Sequence, residues 1–410
     1  MSIARAAAPA VAPVVVLVCG GLILSLNLGV RQSFGLFIEP WNDSLGWGVA
    51  SFSLAIALQN LLWGVFQPVF GALADRYGTA RTVILGALLY FAGLLIMAMP
   101  GWEIVFHVGA GLIIGMGLSG TAFAVVLGAI GRAYPPEKRS MALGLGSAMG
   151  SFGQFAIAPT GQALIDALGW SNALLIYAAA VLVMIPCALA LIGKPQHDGA
   201  ADAPQQTLRA ALREASGHSG YWLLTAGFFV CGFHVAFIAT HLPGYVEVSG
   251  LDPQVAAWAL GLVGLFNILG TLTAGALGGR YRKKYLLSLL YGTRAVVILG
   301  FLLVPPSTVS VLVFAAAIGF LWLSTVPLTT GLVAQLFGPR YISTLFGIVF
   351  LSHQVGAFIG VWLGGLLFER TGSYDTVWWI AVALGVAAAL IHLPMGDAPV
   401  ERLRRQPAAA

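Results

Sequence analysis

Residues Gly71–Arg81 read GALADRYGTAR, and this short charged stretch separates two long apolar runs, Leu45–Phe70 and Thr82–Met99. Glycines let helix ends and backbones approach one another closely. A carboxylate at a helix terminus can bind a neighbouring arginine or interact with the helix dipole. The stretch therefore predicts a turn between two membrane helices, with Arg76 and Arg81 on the cytoplasmic face, where basic loop residues accumulate.

The spacing G-x-L-x-D-R-x-G-x-x-R within this stretch resembles the signature loop between helices 2 and 3 of the major facilitator superfamily. A partial copy of this motif, GALGGRYRKKY, occurs half a chain later at Gly275–Tyr285. That offset predicts an internal repeat. The resemblance implies that five residues form a gating or structural motif: Gly71, Asp75, Arg76, Gly78 and Arg81.

Composition points to the same environment. Apolar residues make up 59% of the 410 residues and charged residues only 9%, against about 25% charged in a soluble domain. Cys19, Cys187 and Cys231 all fall inside apolar runs, which indicates core packing rather than a disulfide framework or a metal cluster. The formal charge of +5 comes mainly from loop residues, so we expect a lipid bilayer and no nucleic acid as partner.

Twelve apolar segments are long enough to cross a hydrocarbon core about 30 Å thick. They predict an all-α membrane protein with twelve transmembrane helices in two six-helix halves, which is the major facilitator fold. The helices are centred in Val14–Phe37, Leu45–Phe70, Thr82–Met99, Ile104–Ile130, Met141–Leu168, Ala173–Ile192, Tyr221–Val246, Ala256–Leu277, Leu286–Val304, Val309–Phe337, Ser343–Phe368 and Thr376–Leu393.

The extended polar gap after the sixth segment divides the chain. We predict an N-terminal six-helix bundle at 1–193, a cytoplasmic linker at 194–220 and a C-terminal six-helix bundle at 221–410. Within the linker, TLRAALREA predicts a short helix on the membrane surface. The first residues, MSIARAAAPAVAP, lead straight into a span and predict an uncleaved start without a signal peptide.

Orientation follows from the loops. Of the 20 Lys and Arg residues, 17 lie in the termini or in loops that follow even-numbered helices, whereas the opposite loops contain one base, Arg370. The positive-inside rule therefore predicts that both termini are cytoplasmic. We expect a monomeric multi-pass protein of the cell inner membrane.

Two arginines, Arg31 and Arg294, lie inside predicted helices. A charge buried in a membrane is expensive, so such residues usually face a cavity or a partner. Arg31 follows Asn27 by one helical turn, and two interpretations stay open: recognition of a carboxylate in a central cavity, or a side chain that reaches the headgroups. Arg294 lies midway through helix 9, where the superfamily resemblance favours a structural role, with contact to the substrate as the alternative.

No Asp or Glu falls in the middle of a predicted helix, although many proton-driven carriers use buried carboxylates as relays. The titratable groups within helices are histidines, which exchange protons near neutral pH. We favour His234 and His353 for proton coupling, because His234 lies deep in its span and His353 has Gln354 beside it. A lone histidine in a membrane helix is more often a hydrogen-bonded packing residue, so that alternative stays open for both.

Other polar and aromatic residues inside the spans can contact a substrate or bond to a neighbouring helix. The predicted substrate-binding set is Arg31, Asn27, Gln59, Gln154, His234, Asn267, Trp322, His353 and Gln354, with Asn60 as a further cavity residue. No nucleophile–base pair or metal-ligand spacing occurs, so the sequence predicts neither an enzyme nor a bound cofactor.

Below the superfamily level, the chain resembles bacterial relatives of the monocarboxylate and oxalate–formate carriers. RQSFGLF at Arg31–Phe37 is similar to the first-helix segment in which that family carries a basic residue. RSMALGLGSAMGSFG at Arg139–Gly153 resembles its R-x-x-A-x-G-L start of helix 5. The chain departs from the family in helix 8, where Asn267 and Thr271 replace an acidic residue and an arginine, and the acidic-Gly-Gly-Trp start of helix 1 is missing.

The resemblance implies a secondary transporter that moves a small organic anion, a monocarboxylate, by alternating access. Symport with protons is a further expectation. The main alternative is an exporter of drugs or other amphiphilic compounds. Such exporters usually carry an arginine in helix 4 and G-P-x-x-G-G in helix 5, whereas this chain has Gly111 and GSFGQFAIAP. A substrate sensor that no longer transports is a further alternative, but such a sensor usually carries a signalling domain or tail.

Overall fold

Helices dominate the architecture, as the apolar runs predict. The computed structural model describes residues 11–99, 101–192, 206–338 and 341–404. Within those ranges there is no β-strand, and twelve helices are long and apolar enough to cross a membrane. Six of them precede the linker and six follow it, so the predicted all-α membrane fold with two six-helix halves is confirmed.

We name the membrane helices α1 to α12 in chain order. Their bounds are Pro13–Leu45, Val49–Tyr77, Thr79–Ala98, Glu103–Ala133, Met141–Leu168, Trp170–Leu191, Ser219–Val248, Pro253–Gly278, Lys283–Leu303, Thr308–Phe337, Thr344–Thr371 and Asp375–His392. The continuous helices of α5 and α11 begin slightly earlier, at Pro136 and Ile342. Two short helices lie outside the spans: Leu208–Ser216, called the linker helix, and Glu401–Arg404.

Several membrane helices contain irregular turns. In α1 a 3₁₀ turn spans Ser33–Phe37. In α4 a π-helical turn spans His107–Ile113, and the helix is interrupted at Ala122. In α10 the helix stops at Leu321 and resumes at Thr325. Interruptions of this kind leave backbone groups free for side-chain partners and often occur at functional positions.

The charged stretch Gly71–Arg81 is mostly helical. Its first part belongs to the end of α2, which continues to Tyr77, and α3 begins at Thr79. Gly78 alone separates the two helices, with a φ of +95° that residues with a side chain rarely adopt. The predicted turn is therefore correct in position but wrong in length, because a single glycine is enough to end a helix.

The linker contains the predicted short helix, whose position on the membrane surface stays a prediction. Leu208–Ser216 is helical, and the Thr207 hydroxyl caps it by accepting a hydrogen bond of 3.2 Å from the backbone N–H of Ala210. Residues 193–205 and 1–10 lie outside the described residues. The domain bounds 1–193, 194–220 and 221–410, and the uncleaved start, therefore stay predictions.

Within each half, the first and fifth helices pack closely through glycines. In the N-terminal half, a Cβ built on Gly153 of α5 would lie 2.2 Å from the carbonyl oxygen of Ser25 in α1. In the C-terminal half, a Cβ built on Gly356 of α11 would lie 2.0 Å from the carbonyl oxygen of Phe229 in α7. Both helix pairs need a residue without a side chain at the contact, and their equivalent places agree with an internal repeat.

The two halves contact each other along α2 with α11 and α5 with α8, and the 3₁₀ turn of α1 also packs against α7. Near the middle, Asn267 Nδ2 donates a 2.9 Å hydrogen bond to Ser151 Oγ. At the end of the bundle away from Asp75, the N–H of Ala50 donates to Glu369 Oε2 at 2.9 Å. Gln254 of α8 likewise donates to the carboxylate at the end of α5, at 2.8 Å. Among the described residues, no hydrogen bond or ion pair joins the halves at the Asp75 end.

Candidate functional site between the two halves

Arg31 occupies an unusual place in α1. From Asn27 to Ile38 every residue is buried except Arg31, which is partly accessible. Its Nη2 donates a hydrogen bond to Asn60 Oδ1 in α2, and its guanidinium lies 5.1 Å from the centroid of the Trp63 ring. Its Nε is buried and has no hydrogen-bond partner in the described chain. The guanidinium therefore retains donor capacity where α1 faces α2.

Asn60 and Trp63 lie three residues apart in α2, so both side chains are on one face of that helix. Asn60 Nδ2 donates a 2.8 Å bond to the carbonyl of Ile56, which turns Oδ1 toward the guanidinium. Trp63 Nε1 donates to Gln67 Oε1 at 2.9 Å, which fixes the plane of the indole. Helix α2 thus supplies one acceptor and one aromatic surface for Arg31.

Helix α11 supplies the opposite wall. The ring of Phe350 lies 5.6 Å from the Trp63 ring in an edge-to-face arrangement, and His353 stacks on Phe350 at 5.7 Å. His353 Nδ1 lies 3.0 Å from Gln354 Oε1, to which its N–H donates. Gln354 Nε2 is buried with no partner among the described residues. Gln354 also packs on Gly64, where a built Cβ would lie 2.7 Å from its own Cβ.

These side chains meet at one place between the halves, and we call them the junction site: Arg31, Asn60, Trp63, Phe350, His353 and Gln354. Two of its buried donors, Arg31 Nε and Gln354 Nε2, have no acceptor among the described residues. The carboxylates of α1, α2 and α11 lie toward helix ends: Glu39, Asp43, Asp75 and Glu369. The site thus combines a cation, unpaired donors and aromatic walls, a combination suited to a small anion with an apolar body.

Three predicted site residues of the N-terminal half bond to other helices. Asn27 Nδ2 donates to Thr121 Oγ1 at 2.6 Å, and Gln59 Nε2 donates to the carbonyl of Ala110 at 2.8 Å. The first bond joins α1 to α4 and the second joins α2 to α4, each beside an irregular turn of α4. Gln154 Nε2 of α5 donates to the side chain of Gln32 at 3.2 Å. Asn27 and Gln59 therefore lie apart from the junction site, whereas Gln154 reaches the neighbour of Arg31.

Asn267 and Trp322 belong to the interruption of α10. Asn267 Oδ1 accepts a 3.0 Å bond from the N–H of Leu323, while its Nδ2 binds Ser151 across the halves. The Trp322 side chain is fully buried, with 1% of the residue exposed. Helix α8 thus holds the broken segment of α10 through one amide side chain.

His234 faces α12 rather than the junction site. Its Nε2 lies 2.8 Å from the carbonyl oxygen of Ala381, so that ring nitrogen donates to the backbone. Nδ1 is buried and has no partner in the described part of the chain. Of the two histidines proposed for proton coupling, only His353 contacts residues of the junction site.

Arg294 is the second arginine within the membrane, and it is 1% exposed. Its Nε donates to the carbonyl of Leu321 at 3.2 Å, and its Nη2 donates to the carbonyl of Trp322. Its guanidinium also lies 5.5 Å from the Tyr291 ring centroid. Arg294 therefore satisfies the backbone that the interruption of α10 leaves free, while its Nη1 is buried without a partner in the described part of the chain.

The motif side chains lie at the end of the bundle where no described hydrogen bond or ion pair joins the halves. Asp75, Arg76 and Arg81 are exposed, and the Arg76 guanidinium lies 5.3 Å from the Tyr77 ring centroid. Arg132 of α4 donates a 2.6 Å bond to Thr79 Oγ1 just after Gly78. Asp75 has no hydrogen bond or ion pair with any described residue, so its carboxylate is available for a partner in another conformation.

Sequence reasoning did not select Trp63 or Phe350. Asn60, Trp63 and Gln67 recur at spacings of three and four along α2, a polar and aromatic stripe that indicates one functional face. Phe350 has no comparable signal, because phenylalanine is common in this chain. Its role depends on contact with a residue nearly three hundred positions away, which helix periodicity does not reveal.

Comparison with known proteins identifies the family. A family model of the Major Facilitator Superfamily matches residues 17–360 and 250–409. The chain belongs to the Major Facilitator Superfamily. It is therefore a multi-pass membrane transporter and not an enzyme, in agreement with the sequence resemblance.

Curated relatives within the superfamily share about a quarter of its residues. Monocarboxylate transporter 13 of Rattus norvegicus is 26% identical over 376 residues, covering 90% of this chain and 86% of that protein. Monocarboxylate transporter 11 of Homo sapiens is 27% identical over 385 residues, covering 90% and 80%. The uncharacterized MFS-type transporter YcxA of Bacillus subtilis is 24% identical over 387 residues, covering 90% and 91%.

A solved structure has the same fold. It is a bacterial homolog of the human lysosomal transporter Spinster, described as inward-facing and unoccupied. The TM-score is 0.71 at 15% identity, and the alignment covers 95% of this chain and 96% of that one. At this identity the likeness establishes the fold alone.

Proposed function

We propose that this transporter carries a small organic anion, a monocarboxylate, and binds its carboxylate at the junction site. The observation that carries the proposal is Arg31, a partly accessible cation whose buried Nε lacks an acceptor among the described residues. A guanidinium presents a planar fork of donors that matches a carboxylate. The printed names of two relatives, monocarboxylate transporters 13 and 11, support the same class of substrate.

The C-terminal half completes the binding of the anion. Gln354 Nε2 is a second buried donor without an acceptor among the described residues, and it belongs to the helix that faces Trp63 through Phe350. A substrate bound by both Arg31 and Gln354 would bridge the halves. The Trp63 and Phe350 rings would then pack against its apolar body, which favours a carboxylic acid with a short hydrocarbon portion.

Transport would proceed by alternating access. In this proposal the Asp75 end is the open one, which is supported by the described hydrogen bonds between the halves, since these lie near the middle and at the opposite end. With both termini in the cytoplasm, as the basic loops predict, this arrangement faces inward at the inner membrane. Rocking the halves around the junction site would close the Asp75 end and open the other.

Proton symport, where it occurs, would use His353 or the carboxyl group of the substrate itself. His353 stacks on Phe350 and donates to Gln354, so its protonation state bears on the same donors that bind the anion. A neutral histidine can accept a proton near physiological pH. His234 is a weaker candidate, because its bonded nitrogen faces α12.

Uptake into proteoliposomes tests this proposal. Labelled acetate, lactate, pyruvate and benzoate would be compared with their neutral amides and with an amphiphilic cation, using wild type and Arg31→Gln. We expect uptake of at least one monocarboxylate and its loss in the variant. Transport of the amphiphilic cation with no monocarboxylate transport would overturn the anion assignment and favour the exporter.

A further inference from the structure

A pocket outside the junction site lies between the linker helix, the first turns of α7 and helix α11. Its volume is about 680 Å³. Its polar and aromatic lining includes Arg209 and Arg213 of the linker helix with Tyr221 and Trp222 of α7, and Ile348 contributes from α11. The pocket therefore sits where the chain passes from the linker into a membrane helix.

The two arginines form a cationic face. They are four residues apart in a helix, so they occupy neighbouring positions on one side of it. Both are exposed, and neither guanidinium has a hydrogen bond or ion pair with another described residue. Like charges at this spacing repel each other, so an anion bound between them would relieve an unfavourable interaction.

The one carboxylate of the linker helix does not neutralise them. Glu214 Oε2 accepts a 2.9 Å hydrogen bond from Gln206 Nε2 and lies 3.4 Å from Arg402 Nη2. Its charge is thereby directed toward the C-terminal segment. The other face of the linker helix is apolar, with Ala211 and Ala215 buried.

The surroundings of the pocket favour a lipid over a soluble anion. Trp222 is 51% exposed and Leu208 is 43% exposed, so two large apolar side chains flank the arginines. Trp222 Nε1 donates a 2.9 Å bond to the carbonyl of Ser216, which fixes the ring beside the end of the linker helix. Tryptophan is enriched at the membrane interface, and a basic amphipathic helix lies in the plane of that interface.

We infer that this pocket binds the phosphate of an anionic phospholipid headgroup through Arg209 and Arg213. The acyl chains of the lipid would pack along Trp222 and the adjoining surface of α7. Tyr221 of α7 donates a 2.8 Å hydrogen bond to the carbonyl of Leu345 in α11, so this pocket lies where α7 and α11 are joined. Lipid bound there would hold the linker helix on the membrane next to α11. This site is independent of the proposed transport substrate.

Lipid binding to the full-length chain tests the inference. Purified protein in phosphatidylcholine nanodiscs would be titrated with labelled phosphatidylglycerol, and bound lipid would be counted by native mass spectrometry after gentle delipidation. We expect wild type to prefer phosphatidylglycerol over phosphatidylcholine with the same chains. Arg209→Gln with Arg213→Gln should weaken this binding roughly tenfold or more, since each basic residue near the surface contributes attraction to anionic lipid.

Two control variants and one competitor make the result decisive. Arg139→Gln with Arg280→Gln removes two exposed charges elsewhere and should retain the preference. Arg209→Lys with Arg213→Lys should retain most of it. Equal binding by wild type and the Arg209→Gln, Arg213→Gln variant would overturn the site. Displacement of the lipid by millimolar inorganic phosphate would instead overturn the lipid assignment.

Discussion

The two arginines inside the membrane differ in accessibility and in the kind of acceptor that they bind. Arg294 is 1% exposed, and its guanidinium donates to two backbone carbonyls at the interruption of α10. Arg31 is partly accessible, donates to one side chain, and keeps a buried Nε without an acceptor among the described residues. Arg294 Nη1 is likewise buried without an acceptor among the described residues, so accessibility distinguishes the two arginines: a ligand can reach Arg31, whereas Arg294 is enclosed by the fold.

The difference shows how to separate structural from functional charge in a membrane protein. Every buried donor tends to find an acceptor because an unpaired one is costly in low dielectric surroundings. The fold supplies acceptors for Arg294 Nε and Nη2, since α10 stops at Leu321, whereas Arg294 Nη1 is buried without a partner among the described residues. For Arg31 the described residues supply only part of the acceptors, and a carboxylate supplies the rest in our proposal.

The largest expected effect is on the structural arginine. Arg294→Gln leaves the carbonyls of Leu321 and Trp322 without their donor, at about 1–3 kcal/mol for each unpaired buried group. We expect a clear fall in the thermal midpoint in detergent, measured by differential scanning fluorimetry, whereas Arg31→Gln should barely change it. An Arg294→Gln protein with wild-type stability but weakened anion binding would reverse the assigned roles.

A smaller effect is expected for the second unpaired donor. Gln354→Leu removes Nε2 and should weaken carboxylate binding by about 1.5 kcal/mol, roughly tenfold, because hydrogen bonds to charged groups are worth that much. Isothermal titration calorimetry measures this loss. Gln59→Leu is the matched control: its amide binds the carbonyl of Ala110, so stability should fall and affinity should not.

The two histidines extend the comparison to proton coupling. His353→Gln should reduce acid-driven uptake into proteoliposomes while leaving counterflow exchange intact, because the variant cannot carry the proton at the junction site. His234→Gln should retain acid-driven uptake, since its nitrogen binds the carbonyl of Ala381 away from that site. Undiminished acid-driven uptake in both variants would leave substrate-borne protons or exchange as the mechanism.

The smallest effects concern the two related loops. Arg282, in the partial copy of the motif, forms an ion pair with Asp397, with 2.6 Å between Nη2 and Oδ1. That ion pair lowers the pKa of the Asp397 carboxyl. The pair therefore stabilises the fold above the ordinary pKa of aspartate and is lost as pH falls through the lowered pKa. Asp397→Asn should reduce the thermal midpoint slightly at neutral pH and match wild type in acid.

Asp75 in the intact motif should behave differently from Asp397, because it has no bonded partner among the described residues. Asp75→Asn should leave stability and substrate binding nearly unchanged and slow turnover, if the carboxylate pairs only when its end of the bundle closes. Stopped-flow uptake and equilibrium binding on the same preparation separate the two quantities. Equal losses of binding and turnover would contradict a gating role.

Much of the fold could be predicted from hydropathy because each span is decided locally. All twelve helices were expected, but α1 continues to Leu45 whereas its prediction ended at Phe37. The polar residues between Glu39 and Ser44 favour a loop by their residue types, yet they belong to the helical segment Ile38–Leu45. The helical end of α2 was missed for a similar reason. The charged residues before Gly78 were interpreted as part of a turn, whereas the helix continues to Tyr77.

The site was only partly predictable. Arg31, His353 and Gln354 could be selected because polar groups inside a membrane are expensive. Their neighbours could not, since the contact of Trp63 with Phe350 depends on how two distant helices pack. Asn267 shows the limit of selection by residue type. An asparagine suits a polar cavity, but its Oδ1 already accepts a hydrogen bond from a backbone N–H at the interruption of α10.

The central claim is that Arg31 binds the carboxylate of the substrate, and a binding titration tests it most directly. Purified wild type, Arg31→Lys and Arg31→Gln would be titrated with the monocarboxylate that binds wild type most tightly and with its neutral amide. We predict that Arg31→Gln loses about 1.5–3 kcal/mol for the acid, a weakening of roughly tenfold or more. Arg31→Lys should be intermediate, because it keeps the charge but not the fork, and the amide should bind all three proteins alike. If Arg31→Gln bound the acid as tightly as wild type, the account of this site would be contradicted.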